Sequence, residues 1–366
     1  MSDDNDDTSQ ADDANKRAKV EGASPTPAAQ PSSDQRAAGG DDQTVVSPQF
    51  EDRSTGLIVF GILQIIMGCC TAMLVPFVLM STLGNPASGV PTTARMMIPA
   101  IGMYGMMAVV LIWLGVGSIL ARRWARALNL VLAWMWFAMG LVTLIMMCFV
   151  MPNMFSVAAQ GQKLPPQAMI FAQVSMMATM GCFYVILPGI FITFYQSKHV
   201  KATCDFKDPY PRWTDKCPLP VLSLSLILAS GALSMPLSIS YGGVLPLFGF
   251  LLKGVPGALA YLAFAPLFAY LAWATYKLKM SAWWTTFVMY SLFVLSGLVT
   301  FSRISMLDFY RAMDMPEEQL KIIEKSGMFE GMNMPLIGGL GLVVVVAYML
   351  WVRRYFVAGT TPQEVA

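Results

Sequence analysis

Residues 57–80, LIVFGILQIIMGCCTAMLVPFVLM, run for 24 positions without a charged side chain and with only Gln64 and Thr71 as polar interruptions. At 1.5 Å of rise per residue a helix needs about 20 such residues to cross the hydrocarbon core of a bilayer, so this stretch is long enough to span one. Seven further stretches meet the same requirement, at about 97–120, 128–150, 170–195, 219–240, 256–276, 283–303 and 335–352. The whole chain agrees with them. Of its 366 residues 56% are apolar and 13% charged, against roughly 25% charged in soluble domains, and the mean hydropathy is +0.57. These values exclude a water-soluble globule. The expected fold is all-α, a polytopic transmembrane helical bundle of about eight spans.

The carboxylates lie where such a bundle needs them. Twelve of 22 fall at or before Asp52, three are Asp205, Asp208 and Asp215, six run from Asp308 to Glu330, and the last is Glu364. A charge at the bilayer centre costs at least about 2.5–3.5 kcal/mol, which accounts for the acid-free tracts between these groups. Residues 1–55 differ in kind, being rich in Asp, Ser, Ala, Gly and Pro, and are expected to form a disordered acidic cytoplasmic tail. No basic start with a short apolar core opens the chain, so the first span is expected to act as its own signal. The division that follows is a first four-span half (56–200), an ordered charged cytoplasmic loop (201–218), a second four-span half (219–356) and a short tail (357–366). Within the second half, 304–333 forms an extracytoplasmic loop and helix.

Loop Lys and Arg residues set the orientation. With both termini cytoplasmic, 12 fall in inner connections and seven in outer ones, in the sense of the positive-inside rule. The expected location is therefore a cell or inner membrane with both ends inside. Gly68 and Pro76 in the first span match Gly231 and Pro236 in the fifth. Arg122-Arg123-Trp124 after the second matches Lys277, Lys279 and Trp283-Trp284 after the sixth. Leu164-Pro165-Pro166-Gln167 likewise matches Met315-Pro316-Glu317-Glu318. Two four-span repeats in parallel orientation follow from these offsets. Between spans five and six, residues 240–249 are apolar but broken by Gly and Pro, which fits a re-entrant or an interfacial segment. Pro316, Glu317 and Glu318 open a short helix to about Lys325, ahead of Gly327.

Candidate sites are few. The stretch from Lys198 to Pro220, KHVKATCDFKDPYPRWTDKCPLP, holds two Cys, the only His and three Asp among several basic residues. Cys204, Asp205, Asp208, Arg212, Trp213, Asp215 and Cys217 form the expected interaction loop, stiffened by Pro and by carboxylate to Lys or Arg pairing. A metal site from His199, Cys204 and Cys217 is the weaker reading, because close cysteine pairs are absent. The 29 methionines, many toward the outer side, suit gap filling better than a soft-metal path. Ser230, Ser234 and Ser238 recur every four residues; with Gln64, Ser230 and Ser234 give an alternative substrate path.

No catalytic motif accompanies them: there is no Gly-x-Ser-x-Gly elbow, no phosphate-cradling Gly-Lys-Ser/Thr loop and no paired His. The expected function is noncatalytic, a membrane-embedded binding or assembly component without a cofactor. Its partners are membrane lipid and a protein at the cytoplasmic loop, with no nucleic acid. A passive or partner-driven transporter of an apolar, zwitterionic or soft-metal substrate is the alternative. An enzyme acting on lipid through Asp208, Arg212 and Asp215 is the remote one.

Overall fold

A chain in hydrocarbon has no water to satisfy its backbone N–H and C=O groups, so each apolar run must close on itself as a helix. The computed structural model describes residues 51–83, 94–161, 166–325 and 334–360. Among the described residues eight spans are long and apolar enough to cross a membrane. They are carried by α1 (Ser54–Leu83), α2 (Ala94–Ile119), α3 (Arg123–Gly161), α4 and α5 (Pro166–Gly181 and Leu187–Gln196), α7 (Leu219–Ser238), α8 (Val255–Tyr276), α9 (Met280–Phe301) and α12 (Met334–Thr360). The fourth span is one helix in which Cys182–Ile186 widens to a π turn between α4 and α5. Third-span residues enter the helix at Arg123, five positions before the apolar run expected from the sequence. Two of the four residues in that first turn are arginines, a placement unfavourable against a positive helix end unless a carboxylate meets it. Most of the acidic tail, residues 1–50, lies outside the described residues, as do Gly327 and part of the outer methionine group.

The connections carry more structure than their composition announces. Lys198–Lys207 forms α6, and Trp213–Lys216 is a single 3-10 turn. Between α7 and α8, Leu245–Leu247 (β1) pairs antiparallel with Phe250–Leu252 (β2), so the interrupted segment is a small hairpin. Its tip is fastened to the last turns of α9, where Phe248 N–H donates to Ser296 Oγ at 2.9 Å and Gly249 N–H to Thr300 Oγ1 at 3.0 Å. Gly249 has φ +93°, a left-handed turn conformation open to glycine. Beyond α9, Ser305 caps α10 (Met306–Ala312) by accepting the Asp308 N–H, and α11 (Glu317–Lys325) begins next to the proline that the sequence marks as a helix start.

Helices associate chiefly in sequential pairs: α1 with α2, α3 with α5, α7 with α8, and α9 with α12. A tyrosine hydroxyl ties two later spans to earlier ones, the fourth through Ser118 of α2 to the start of α1 and the eighth directly to the start of α7. The Tyr195 hydroxyl meets Ser118 Oγ at 2.7 Å, and that serine donates to Leu57 O at 3.0 Å. In the second half the Tyr348 hydroxyl donates to Pro220 O and meets Ser223 Oγ, both at 2.7 Å. Leu114 and Leu128 of the first half join a core otherwise built by Val221, Leu222, Leu228, Leu271, Trp283 and Phe356, so the halves share packing. A second core surrounds Leu57, Leu130, Phe191, Tyr195 and Val200. Both lie toward the face where α1 begins and α12 ends. Farther along α1, Met73, Phe77 and Met80 are about 70% exposed, a surface suited to lipid.

The closest helix pair rests on glycine. A Cβ built on Gly61 would stand 2.7 Å from Gly115 O, one on Gly115 would stand 2.8 Å from Gly61 O, and one on Gly68 would stand 3.2 Å from Ala108 O. The seven-residue spacing on both strands of this antiparallel pair lets the backbones run in contact, with Ile112 and Ile119 covering the gaps. Apolar burial gives little drive inside lipid, so such close approach supplies the attraction. Gly61→Leu is expected to destabilise by about 1–3 kcal/mol through overpacking and to lower the melting temperature in detergent. Gly105→Leu, where a Cβ meets nothing within 4 Å, should leave it unchanged, and equal effects would refute the zipper.

Candidate functional site

The charged stretch after the fourth span folds because its first ten residues lack Gly and Pro, so they wind as α6. Val200, Thr203 and Cys204 recur at helical spacing and form its buried face. Thr203 Oγ1 accepts the Arg53 N–H at 3.1 Å and donates to His199 O, while His199 Nδ1 accepts the Glu51 N–H at 3.2 Å. These bonds clamp α6 to the start of α1. The helix closes at Asp208, whose N–H donates to Cys204 O.

Asp208 is the centre of the site. It is 1% exposed, and its carboxylate accepts Arg212 Nη2 at 2.7 Å on Oδ1 and Arg212 Nε at 3.0 Å on Oδ2. Arg122 Nη1 stands 3.7 Å from Oδ1, and the backbone N–H of Arg123 donates to Oδ2 at 3.4 Å. Asp208 therefore supplies the negative charge that the arginine-rich start of α3 requires. Hydrogen bonding from Arg212 holds the Asp208 carboxyl below its ordinary pKa against the opposing effect of burial, with the Arg123 N–H and Arg122 adding to the shift. Arg123 itself reaches Asp205 at 2.6 Å and Asp215 at 3.8 Å. Asp215 also accepts the Arg212 N–H at 2.9 Å, closing the 3-10 turn on itself. Tyr276 at the end of α8 donates its hydroxyl to Trp213 O at 2.8 Å, fixing the turn to the second half.

The structure thus joins Asp205, Asp208, Arg212 and Asp215 around Arg123. Trp213 is 43% exposed, and Tyr210 and Phe206 stand out farther at 75% and 73%. Cys204 and Cys217 are buried, and burial pushes both thiols up to about 11. His199, Cys204 and Cys217 do not form a ligand set, and no group of three or more His, Cys, Asp or Glu able to hold a metal occurs among the described residues. Gln64 is buried and donates to Asn129 Oδ1 at 2.7 Å, leaving Gln64 Oε1 and Asn129 Nδ2 without partners. Ser230 and Ser234 are exposed on α7 and bond back to Ile227 O and Gly231 O of their own helix, separate from the Gln64 pair.

Sequence reading missed Arg122, Arg123, Arg126 and Asn129 as members of these clusters. The three arginines stood out as loop charge, but Arg123 finds its partners 82 and 85 residues away along the chain and Arg126 finds its own 69 away, and no local spacing records that. Beside the cluster a cleft of about 450 Å³ opens between the start of α3, α6 and the 3-10 turn. Comparison with protein-family models, curated proteins and solved structures finds no match.

Asp208→Asn is expected to destabilise this face by about 2–3 kcal/mol, the loss of a buried charged acceptor. Asp205→Asn, whose side chain is 34% exposed, should cost under about 1 kcal/mol. The buried thiols report the difference: maleimide labelling of Cys204 and Cys217 should accelerate at least roughly tenfold in the first variant and little in the second. Because the folded-state pKa of Asp208 is depressed, its contribution is fully present above the ordinary value of 3.8 and is lost as pH falls through the lower folded value. The melting temperature of wild type should exceed that of Asp208→Asn at neutral pH, and the gap should close only under acid below about pH 4.

Proposed function

We propose that this multi-pass integral membrane protein is a noncatalytic binding or assembly component, inserted with both termini cytoplasmic, whose segment from Lys198 to Pro220 holds a protein partner. The observation that carries this reading is the contrast within the segment. Its backbone, its carboxylates and Arg212 are held by bonds among Asp208, Arg123 and Tyr276, while Phe206, Tyr210 and Trp213 stand exposed. Aromatic side chains on a rigid frame lose little entropy on binding and are the usual anchors of protein interfaces. The described residues of the same face carry 13 basic and five acidic side chains, which favours its placement in the cytoplasm. No span holds a carboxylate, and the sole histidine, outside the spans, accepts the Glu51 N–H, so the commonest general acid–base groups are missing from the spans.

A carrier of apolar, zwitterionic or soft-metal substrates is the second reading, favoured by the half-satisfied Gln64 and Asn129 pair inside the first half. It predicts flux into reconstituted vesicles that falls on Gln64→Leu or Ser234→Phe.

Two measurements test the first reading. An impermeant maleimide should label Lys321→Cys on intact cells and Tyr210→Cys only after permeabilisation; the reverse pattern overturns the orientation. A photo-crosslinking residue in place of Tyr210 should yield one adduct of fixed mass with a second polypeptide, weakened by Trp213→Ala. Lipid adducts alone would count against a protein partner.

A further inference from the structure

The cleft beside Asp208 is lined by Arg123, Arg126, Lys201, Asp205, Thr214 and Asp215, among others. Its charges do not cancel evenly. Arg123 engages both carboxylates, at 2.6 Å to Asp205 and 3.8 Å to Asp215, and Asp215 is held further by the Arg212 N–H. Two cations remain. Arg126, half-buried, donates one N–H of its guanidinium, which carries five, to Tyr195 O at 3.3 Å and has no other hydrogen bond or ion pair among the described residues. Lys201 is exposed, and its ammonium has no hydrogen bond or ion pair among the described residues.

A third donor faces the same space. Thr214 is 2% exposed and lines the cleft, yet its hydroxyl has no hydrogen-bond partner among the described residues. Next to it Asp205, Asp208, Arg212 and Asp215 are all paired, and a buried hydroxyl left open beside them is unfavourable unless a ligand completes it. The positive ends of α3 and α7 both lie at this cleft, since Arg123, Arg126 and Ala127 begin one helix and Leu219 the other. One of these ends already holds an anion, the Asp208 carboxylate on the Arg123 N–H. Cationic side chains, a hydroxyl donor and helix starts together are the chemistry that recognises phosphate. At about 450 Å³ the cleft falls within the usual range for small-ligand sites, with room for the ester group as well as the phosphate. Its place where two spans begin sets it at the level of lipid headgroups.

We propose that this cleft binds a phosphate group at the membrane surface, borne by an anionic phospholipid or a soluble phosphate ester, with Arg126 and Lys201 pairing with its charge and Thr214 donating a hydrogen bond. The inference is independent of the protein-partner reading.

Cys217 lines the cleft and reports occupancy. The full chain in mild detergent is titrated with dihexanoyl phosphatidylglycerol, with dihexanoylglycerol as the phosphate-free control, and with glycerol 3-phosphate. Native mass spectrometry counts retained molecules while N-ethylmaleimide labelling follows Cys217. Phosphatidylglycerol should saturate at one molecule per chain and slow the labelling, at a concentration at least tenfold below any effect of dihexanoylglycerol. Arg126→Gln with Lys201→Gln should raise the phosphatidylglycerol concentration needed at least tenfold, and Thr214→Val a few-fold. Lys201→Gln alone, at an exposed position, serves if the double variant does not fold. Protection by glycerol 3-phosphate equal to that by phosphatidylglycerol identifies a soluble ester as the ligand, and protection by the lipid alone identifies a headgroup. Equal binding of the two lipid probes, no protection by either phosphate compound, or unchanged phosphatidylglycerol binding in a folded Lys201→Gln variant overturns the proposal.

Discussion

Three arginines crowd the start of α3, at a helix end that already carries positive character, and the Asp208 carboxylate is what makes that arrangement stable. It accepts a bidentate arginine, lies near a second, and receives a backbone N–H that α3 would otherwise leave open. Through it α6, the 3-10 turn and α3 become one body, and the Tyr276 bond to Trp213 extends that body to α8. A buried ion pair is weak evidence for net stability, because desolvation opposes attraction. Its value here is geometric: only one path of the chain brings these donors to one carboxylate. The exposed aromatic residues and the neighbouring cleft both owe their positions to that path.

Inside the bilayer a different force does the holding. Lipid tails are as apolar as leucine, so the spans gain little by burying leucine against leucine and must gain from contact and hydrogen bonding instead. Gly61 and Gly115 bring α1 and α2 into backbone contact, Ser225 of α7 donates to Ala272 O of α8 at 2.8 Å, and Trp283 of α9 donates to Met349 O of α12 at 2.9 Å. These are three solutions to one problem. The buried cores sit toward the basic face, where the paired polar groups also lie, while the far parts of α1 and α3 present apolar side chains outward.

How far the sequence could be read follows from the same division. Length and hydropathy are local properties, so all eight spans were legible, as was the short helix after Pro316. The helix Lys198–Lys207 was hidden by the prolines that follow it, although Val200, Thr203 and Cys204 already carried its period. The hairpin at Leu245–Leu252 escaped because its three-residue strands are too short to show alternation and are stabilised from outside, by Ser296 and Thr300. Asp205, Asp208, Arg212 and Asp215 were legible as a set because they are close in sequence. That Arg123 is the common partner of the three aspartates, 82 residues before Asp205, is a tertiary fact with no local signature.

The separation of Asp208 from the Arg123 backbone, 85 residues, also has a meaning in time. A ribosome adding roughly 5–20 residues per second needs about 4–17 seconds to pass from one to the other. The α1–α2 hairpin, whose contacts are complete once Ile119 has emerged, can form while synthesis continues. The third span enters the bilayer with its arginines unmatched, and the first half acquires its final arrangement only after the fourth span and α6 have been made. Assembly of this half is therefore timed by the distant carboxylates Asp205, Asp208 and Asp215, and a nascent chain halted before Asp205 would hold an inserted but unlatched half.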